Sequence, residues 1–202
     1  MSIQVLPNGT VKVLVPWYVP TWSVKVLLKQ KESWIQETRE KMLSRLPKED
    51  MDTYLYLGKT YQLATRSGQK ELIELEDKFY LGVTTKRNAK TYLTSWYKQQ
   101  ARKIIVERVH LYAKHANVTF RSVSITTAET RWGSCSNNKT LNFNWKLVMA
   151  PMEVIDYVIA HELAHLTELN HSRAFWETVR KIYPLYREYR TWLKRNGHRL
   201  VV

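Results

Sequence analysis

The stretch His161-Glu162-Leu163-Ala164-His165-Leu166-Thr167-Glu168-Leu169-Asn170-His171 decides how the rest of the chain is read, and it holds three of the six histidines in the protein. Four residues advance an α-helix by about 6 Å and leave a net rotation of only about 40°, so His161 and His165 leave one face and both imidazoles reach a single ion. Glu162 lies about 100° from His161 and about 60° from His165, on the half of the helix where its carboxylate meets a metal-activated water. A helix continued six residues past His165 would rotate by about 600° and rise about 9 Å, so the chain must turn before His171. Asn170 is expected to make that turn, because asparagine enters the left-handed conformation at modest cost. Ser172 is the expected N-cap of a new helix from Arg173. Three neutral imidazoles with one position left for water describe a catalytic rather than a structural zinc site. A lone histidine on an amphipathic helix is ordinary packing, but here each spacing has its own mechanical reason.

The flanks agree. Pro151 and Glu153 suit the first turn of a helix. At 100° per residue Met152, Ile155, Ile159, Leu163 and Leu166 form one apolar stripe, with Val154, Tyr157 and Val158 beside the two histidines. Glu153, Asp156 and Thr167 are the strip left for water. The helix is therefore expected to be buried on both sides, with a cleft over the metal.

At 202 residues the chain suits one domain, or one domain with an appendage. Its single cysteine excludes an intramolecular disulfide, and no start of the secretory type and no long apolar run is present, so a cytoplasmic protein without a membrane span is expected. Thirty-two basic residues face 18 acidic ones, a formal +14 with a pI near 9.8, which favours anionic partners, nucleic acid among them. The plainer account is that the lysines and arginines solvate exposed helix faces.

Outside the histidine stretch, Ile3 to Val15 read as a hairpin around Pro7-Asn8-Gly9, and about Ser23 to Leu46 as a helix stopped by Pro47. Two strands around Gly58, then Leu72 to Leu75 and Phe79 to Val83, make a β-rich middle section. Asn88 to about Asn117 carries the longest helical signal, with Lys98, Arg102, Lys103 and Lys114 on its basic side. Trp96 and Tyr97 beside them are core packing in preference to a base-stacking surface. Strands are expected over Ser122–Thr127 and Leu141–Trp145, joined by Glu129 to Lys139, and the second, just before the histidine-bearing helix, is expected to offer an edge to an extended peptide along the cleft. Cys135 in the joining segment is a packed thiol in preference to a metal ligand. A helix after His171 ends near Pro184, and another from about Leu185 to Asn196 closes on Gly197.

The histidine stretch with Asn170-His171-Ser172 and Phe175-Trp176, preceded by Arg131-Trp132-Gly133-Ser134-Cys135 and Asn144-Trp145-Lys146-Leu147-Val148, resembles the YgjP-like metallopeptidase family over nearly the whole chain. That family is similar to the WLM and SprT-like zinc peptidases. The resemblance implies an α+β, zincin-like minimal metallopeptidase fold. It also implies His161, His165 and His171 as Zn2+ ligands, Glu162 as the catalytic glutamate, and a peptide or protein substrate that is DNA-associated in the related groups. In domain terms the expectation is a β-rich N-terminal section over residues 1–86 and a mainly helical core over residues 87–202, as one compact unit. Metzincins share the spacing from second to third histidine, but they carry glycine where Glu168 stands, and no methionine turn follows here. The oxyanion donor is not legible; Arg131, Tyr183 and His198 are candidates. The alternative is a metal-dependent phosphohydrolase acting on nucleotides or nucleic acid, although such sites favour carboxylates holding magnesium or manganese. A non-enzymatic adaptor with structural zinc would need a fourth ligand and no general base.

Overall fold

The computed structural model describes residues 2–5, 11–17, 19–43, 53–66, 73–82 and 89–202. Contacts within the chain divide it into two units, Met1–Asp50 and Met51–Val202. The small sheet assigned to the N-terminal section by sequence thus groups with the helical half.

In the first unit β1 (Ser2–Val5) pairs antiparallel with β2 (Val11–Leu14), from Ser2 opposite Leu14 to Val5 opposite Val11. This is the expected hairpin, and its turn residues 7–9 lie outside the described residues, as do Leu46 and Pro47. The single helix expected next is two, α1 (Thr21–Gln30) and α2 (Glu32–Leu43). Lys31 leaves helical dihedrals (φ −101°, ψ 9°), yet its N–H still donates to the Leu27 carbonyl and its own carbonyl accepts from Ile35 at 2.8 Å. The interruption is a one-residue distortion that neither glycine nor proline announces.

In the second unit β3 (Thr53–Tyr56), β4 (Lys59–Thr65), β5 (Ile73–Leu75) and β6 (Phe79–Leu81) form a sheet in the order β3-β4-β6-β5. The β4–β6 pair is parallel and the others antiparallel. Leu57 and Gly58 join β3 to β4 with positive φ at both positions (48° and 78°), the dihedral pattern that matches strand twist in a two-residue hairpin loop. Their N–H groups donate to the carbonyls of Val148 at 2.8 Å and Met149 at 3.1 Å. A Cβ on Gly58 would fall 2.8 Å from Pro151 Cγ, so only glycine lets this turn seat against the residue that opens the histidine-bearing helix.

α3 (Ala89–Ala116) buries Leu93, Tyr97, Ala101, Ile105, Val109 and Ala113, a stripe at every fourth residue. Asn117, at φ 51°, ends it, with the Val118 N–H donating to the Ala113 carbonyl at 3.0 Å. Trp96 and Tyr97 go to the core as expected: Trp96 meets Phe79 edge-on at 5.0 Å, and the buried Tyr97 hydroxyl donates to the Leu55 carbonyl at 2.6 Å.

A second sheet, β7 (Ser122–Thr126), β8 (Gly133–Cys135) and β9 (Thr140–Asn144), has the order β7-β9-β8, with β9 parallel to β7 and antiparallel to β8. β9, the strand expected to offer an edge, is central and paired on both sides, and the edge is β8, which lies within the segment read from sequence as a connection. It is three small residues without apolar alternation, and only its pairing with β9 makes it a strand.

A 3-10 turn (Trp145–Met149) leads into α4 (Met152–Ala164), followed by α5 (Arg173–Ile182) and α6 (Tyr186–Asn196), both packed on α4. Ile155, Ile159 and Leu163 are wholly buried, and so is Val154 on the adjoining face. Asp156, expected to face water, is only 4% exposed. It accepts from Arg108 of α3 at Nε (2.7 Å) and Nη2 (2.5 Å), so this position is covered by a helix that brings the matching charge, while Glu153 and Thr167 of the same strip are exposed as expected. Gly197 closes α6 at the expected position with right-handed dihedrals (φ −56°) and continues into a 3-10 turn. Its missing side chain serves packing, since a Cβ there would lie 3.0 Å from the Trp132 ring.

Candidate metal centre

α4 carries His161 and Glu162 in its last turn, and His165 closes it with helical dihedrals (φ −67°, ψ −13°). The chain then tightens, as the N–H groups of Leu166 and Thr167 donate to the Leu163 and Ala164 carbonyls at 3.0 and 3.2 Å. Asn170 is not left-handed: among the described residues the non-glycine positive-φ positions are Leu57, Asn117 and Lys139. The return is made instead by the Ser172 N–H donating to the Asn170 carbonyl at 2.7 Å, a three-residue turn with His171 at its apex. Ser172 is the N-cap of α5 as expected, its Oγ accepting from the Phe175 N–H at 3.3 Å.

These local choices bring the three imidazoles together. Ring centroids are 5.0 Å apart for His161–His165, 5.0 Å for His161–His171 and 4.8 Å for His165–His171, and one ligand atom from each lies within 4.8 Å of the others. The Nε2 atoms of His161 and His171 are 3.1 Å apart. Two nitrogens on one tetrahedral zinc, at about 2.05 Å each, sit about 3.3 Å apart, so this pair is already close to ligand spacing. Fully buried Phe175 contacts all three rings, at 4.9, 4.5 and 4.7 Å between centroids.

The electrostatics favour neutral donors. His161 is pushed down to about 3 by burial first, then by His165, His171 and Arg190, so the ring is uncharged at neutral pH, with one nitrogen free to coordinate. Burial also lowers His165, against the Glu168 carbonyl, which accepts from its Nδ1 at 3.0 Å. That bond fixes the tautomer that leaves Nε2 free to coordinate. His161 Nδ1 is buried and has no hydrogen-bond partner among the described residues. No carboxylate or thiolate joins the three histidines among the described residues.

Glu162 is 4% exposed, and burial pushes it up to about 8, the Arg131 charge opposing. Its Oε2 is buried without a hydrogen-bond partner among the described residues. The carboxyl group lies against Gly133 of β8, where a Cβ would come within 2.5 Å of Oε1. Gly133 stands within the motif over residues 131–135, where sequence alone gives it no role, and the tertiary approach of β8 to α4 supplies one.

A cavity of about 400 Å3 opens over these groups, with residues 133–137 on one side and His161, Glu162, His165, Leu169 and His171 on the other. A smaller one of about 190 Å3 adjoins it between Trp132, Tyr157, Val158 and Leu193. Cys135 lines the larger cavity, with its thiol pushed up by burial and by Glu162, which disfavours the thiolate that metal binding needs. Of the oxyanion candidates, Arg131 is felt at Glu162, whereas Tyr183 packs against Tyr112, 6.0 Å between centroids, and does not line the cavity.

A family model described as YgjP-like, metallopeptidase domain, matches residues 1–196. No curated protein matches the sequence. Among solved structures the chain is similar to the metallopeptidase zymogen abylysin of Pyrococcus abyssi (20% identity, TM-score 0.42), over 48% of this chain and 99% of that one. It is also similar to the zymogen jannalysin of Methanocaldococcus jannaschii (22% identity, TM-score 0.41), over 46% of this chain and 96% of that one.

Proposed function

The chain belongs to the YgjP-like metallopeptidase family, and on that premise we propose that it is a zinc-dependent endopeptidase with His161, His165 and His171 as ligands and Glu162 as general base. The observation that carries this reading is the convergence of three imidazoles beside a carboxyl whose buried Oε2 has no hydrogen-bond partner among the described residues. An all-imidazole set suits zinc and leaves a position open. When bound, the ion supplies Lewis-acid polarisation of the scissile carbonyl and an acidified water.

The chain's own residues do the rest. Glu162 Oε2 takes the proton as the hydroxyl adds to the carbonyl carbon, and gives it to the amine nitrogen as the carbon–nitrogen bond breaks. Glu162 must be ionised to do this, and a dication on the histidines, with Arg131, offsets the burial that otherwise keeps it protonated. The edge of β8 can take an extended substrate as an added strand, which presents a bond within a chain rather than at its end. The positive charge favours polyanions such as nucleic acid, which extends the reading to proteins bound near DNA. Phosphoryl chemistry is less suited, because no acid joins the donor set among the described residues.

The test joins elemental analysis to hydrolysis of a quenched fluorescent peptide library. The wild type should hold about one zinc per chain, and His171→Ala should lose most of it. Glu162→Gln should keep the metal and lose activity by about 10²–10⁴-fold. An empty wild type withdraws the ligand set; a metal-loaded protein inert to peptides but active on phosphoesters transfers the reading to the alternative.

A further inference from the structure

Between α5 and α6 lies a second and larger concavity, of about 840 Å3. Arg173, Arg180, Arg187, Arg190 and Lys194 line it, against a single acid, Glu177, which accepts from Arg173 Nε at 3.1 Å. Helix geometry explains the alignment. Positions 173, 177 and 180 recur along one face of α5, and 187, 190 and 194 along one face of α6, so the two rows confront each other.

A basic helix surface is ordinarily a solvated face, but this one differs in three respects. The cations line a hollow and not a ridge. Two of them are held in place: the Arg190 guanidinium lies 4.4 Å from the Trp176 ring centre, and Arg187 Nε donates to the Tyr186 hydroxyl at 3.2 Å. Groups already held lose less freedom when a ligand arrives. Finally, Trp176 belongs to both the groove and the metal centre, stacking on Tyr186 at 5.5 Å and 18° and on His171 at 5.8 Å and 24°. The groove therefore adjoins the histidine cluster.

We propose that this groove binds an acidic segment of the polypeptide whose bond lies over the metal centre, an inference that rests on the peptidase reading above. Guanidinium forks pair with carboxylates through two parallel hydrogen bonds, and confronted rows of them relieve their mutual repulsion on a run of acids. Trp176 is already stacked and Tyr186 is buried, so the groove offers no open ring for the base stacking on which single-stranded nucleic acid binding relies. Adjacency to His171 puts the occupant on the same chain as the scissile bond.

Fluorescence anisotropy on the full chain tests this, with a labelled oligoglutamate peptide, an oligoserine peptide of equal length and an oligothymidine strand of equal charge. Oligoglutamate should bind, and Arg180→Glu with Arg187→Glu should weaken it about tenfold or more, since each reversed charge removes an attraction and adds a repulsion. Lys103→Glu with Lys114→Glu on α3 makes the same change in net charge and should weaken it less than about twofold. Arg180→Gln with Arg187→Gln gives an intermediate loss and replaces the reversal variant if its circular dichroism shows misfolding. Equal loss in groove and control variants, absence of oligoglutamate binding, or groove variants that weaken only oligothymidine each overturn the proposal. Titrations are run with and without chelator, so a protein that lacks zinc or turnover, which would sink the peptidase reading, still reveals whether the groove takes the acidic peptide.

Discussion

His161 and His165 stand on a helix buried from Val154 to Ala160, whereas His171 is exposed at the apex of a turn closed by one 2.7 Å hydrogen bond. The two halves of one donor set are thus fixed by different means. On the proposed reading the helix half, held by the core, would determine where an ion sits, and the turn half, held locally, how firmly it stays. A change in the first should register in folding, and a change in the second in metal affinity at nearly constant stability.

Phe175→Ala gives the largest expected effect, because its buried ring touches both halves. Removing it should cost about 3–5 kcal/mol in urea unfolding and lower metal affinity as well. Retained affinity would show that the ring does not join the turn to the helix.

A pH series on the chelated protein isolates the helix half. Glu162 is raised from 4.5 to about 8 in the folded chain, so it stabilises fully below 4.5 and loses that contribution as pH climbs to 8. His161 is lowered from 6.5 to about 3, so it stabilises above 6.5 and loses that contribution as pH falls to 3. Between 4.5 and 6.5 the two slopes oppose each other, and burial of His165 adds to the loss on the acid side. Stability should therefore fall by about 2 kcal/mol from pH 6.5 to 8, at 1.36 kcal/mol per unit. Glu162→Gln should abolish that alkaline loss in chelated urea titrations, and a fall that persists would mean another group carries it.

Gly133→Ala presses a methyl group onto the Glu162 carboxyl. Its expected cost is about 1–3 kcal/mol, with activity reduced and zinc content unchanged. Loss of zinc would show that β8 supports the ligands as well as the base. The smallest effect belongs to the turn half: Ser172→Ala removes the α5 cap, about 1 kcal/mol, and should weaken zinc binding in competition with a chromophoric chelator more than it lowers the thermal midpoint. The reverse order would erase the distinction between the halves.

The grouping of His161, His165 and His171 was legible because it is local in sequence, and Ser172 because a cap is a one-residue signal. What sequence alone could not show lies between distant residues. Gly133 and Gly197 are glycines because a side chain from elsewhere occupies the space of their Cβ, and Asp156 is dry because Arg108 arrives from α3. Asn170 had the right chemistry for a left-handed turn, yet a backbone bond two residues long made the return instead. β8 is invisible for the same reason, since its strand character is lent by β9.

The Leu57–Gly58 turn has a consequence in time. It seats against Val148, Met149 and Pro151, some 90 positions along the chain, so the start of α4 gains its anchor only after a long loop has closed. Such non-local closures are slow compared with helix formation. During refolding, helical signal should return before the three histidines acquire their shared geometry, and zinc uptake should trail it as the clock of the last step.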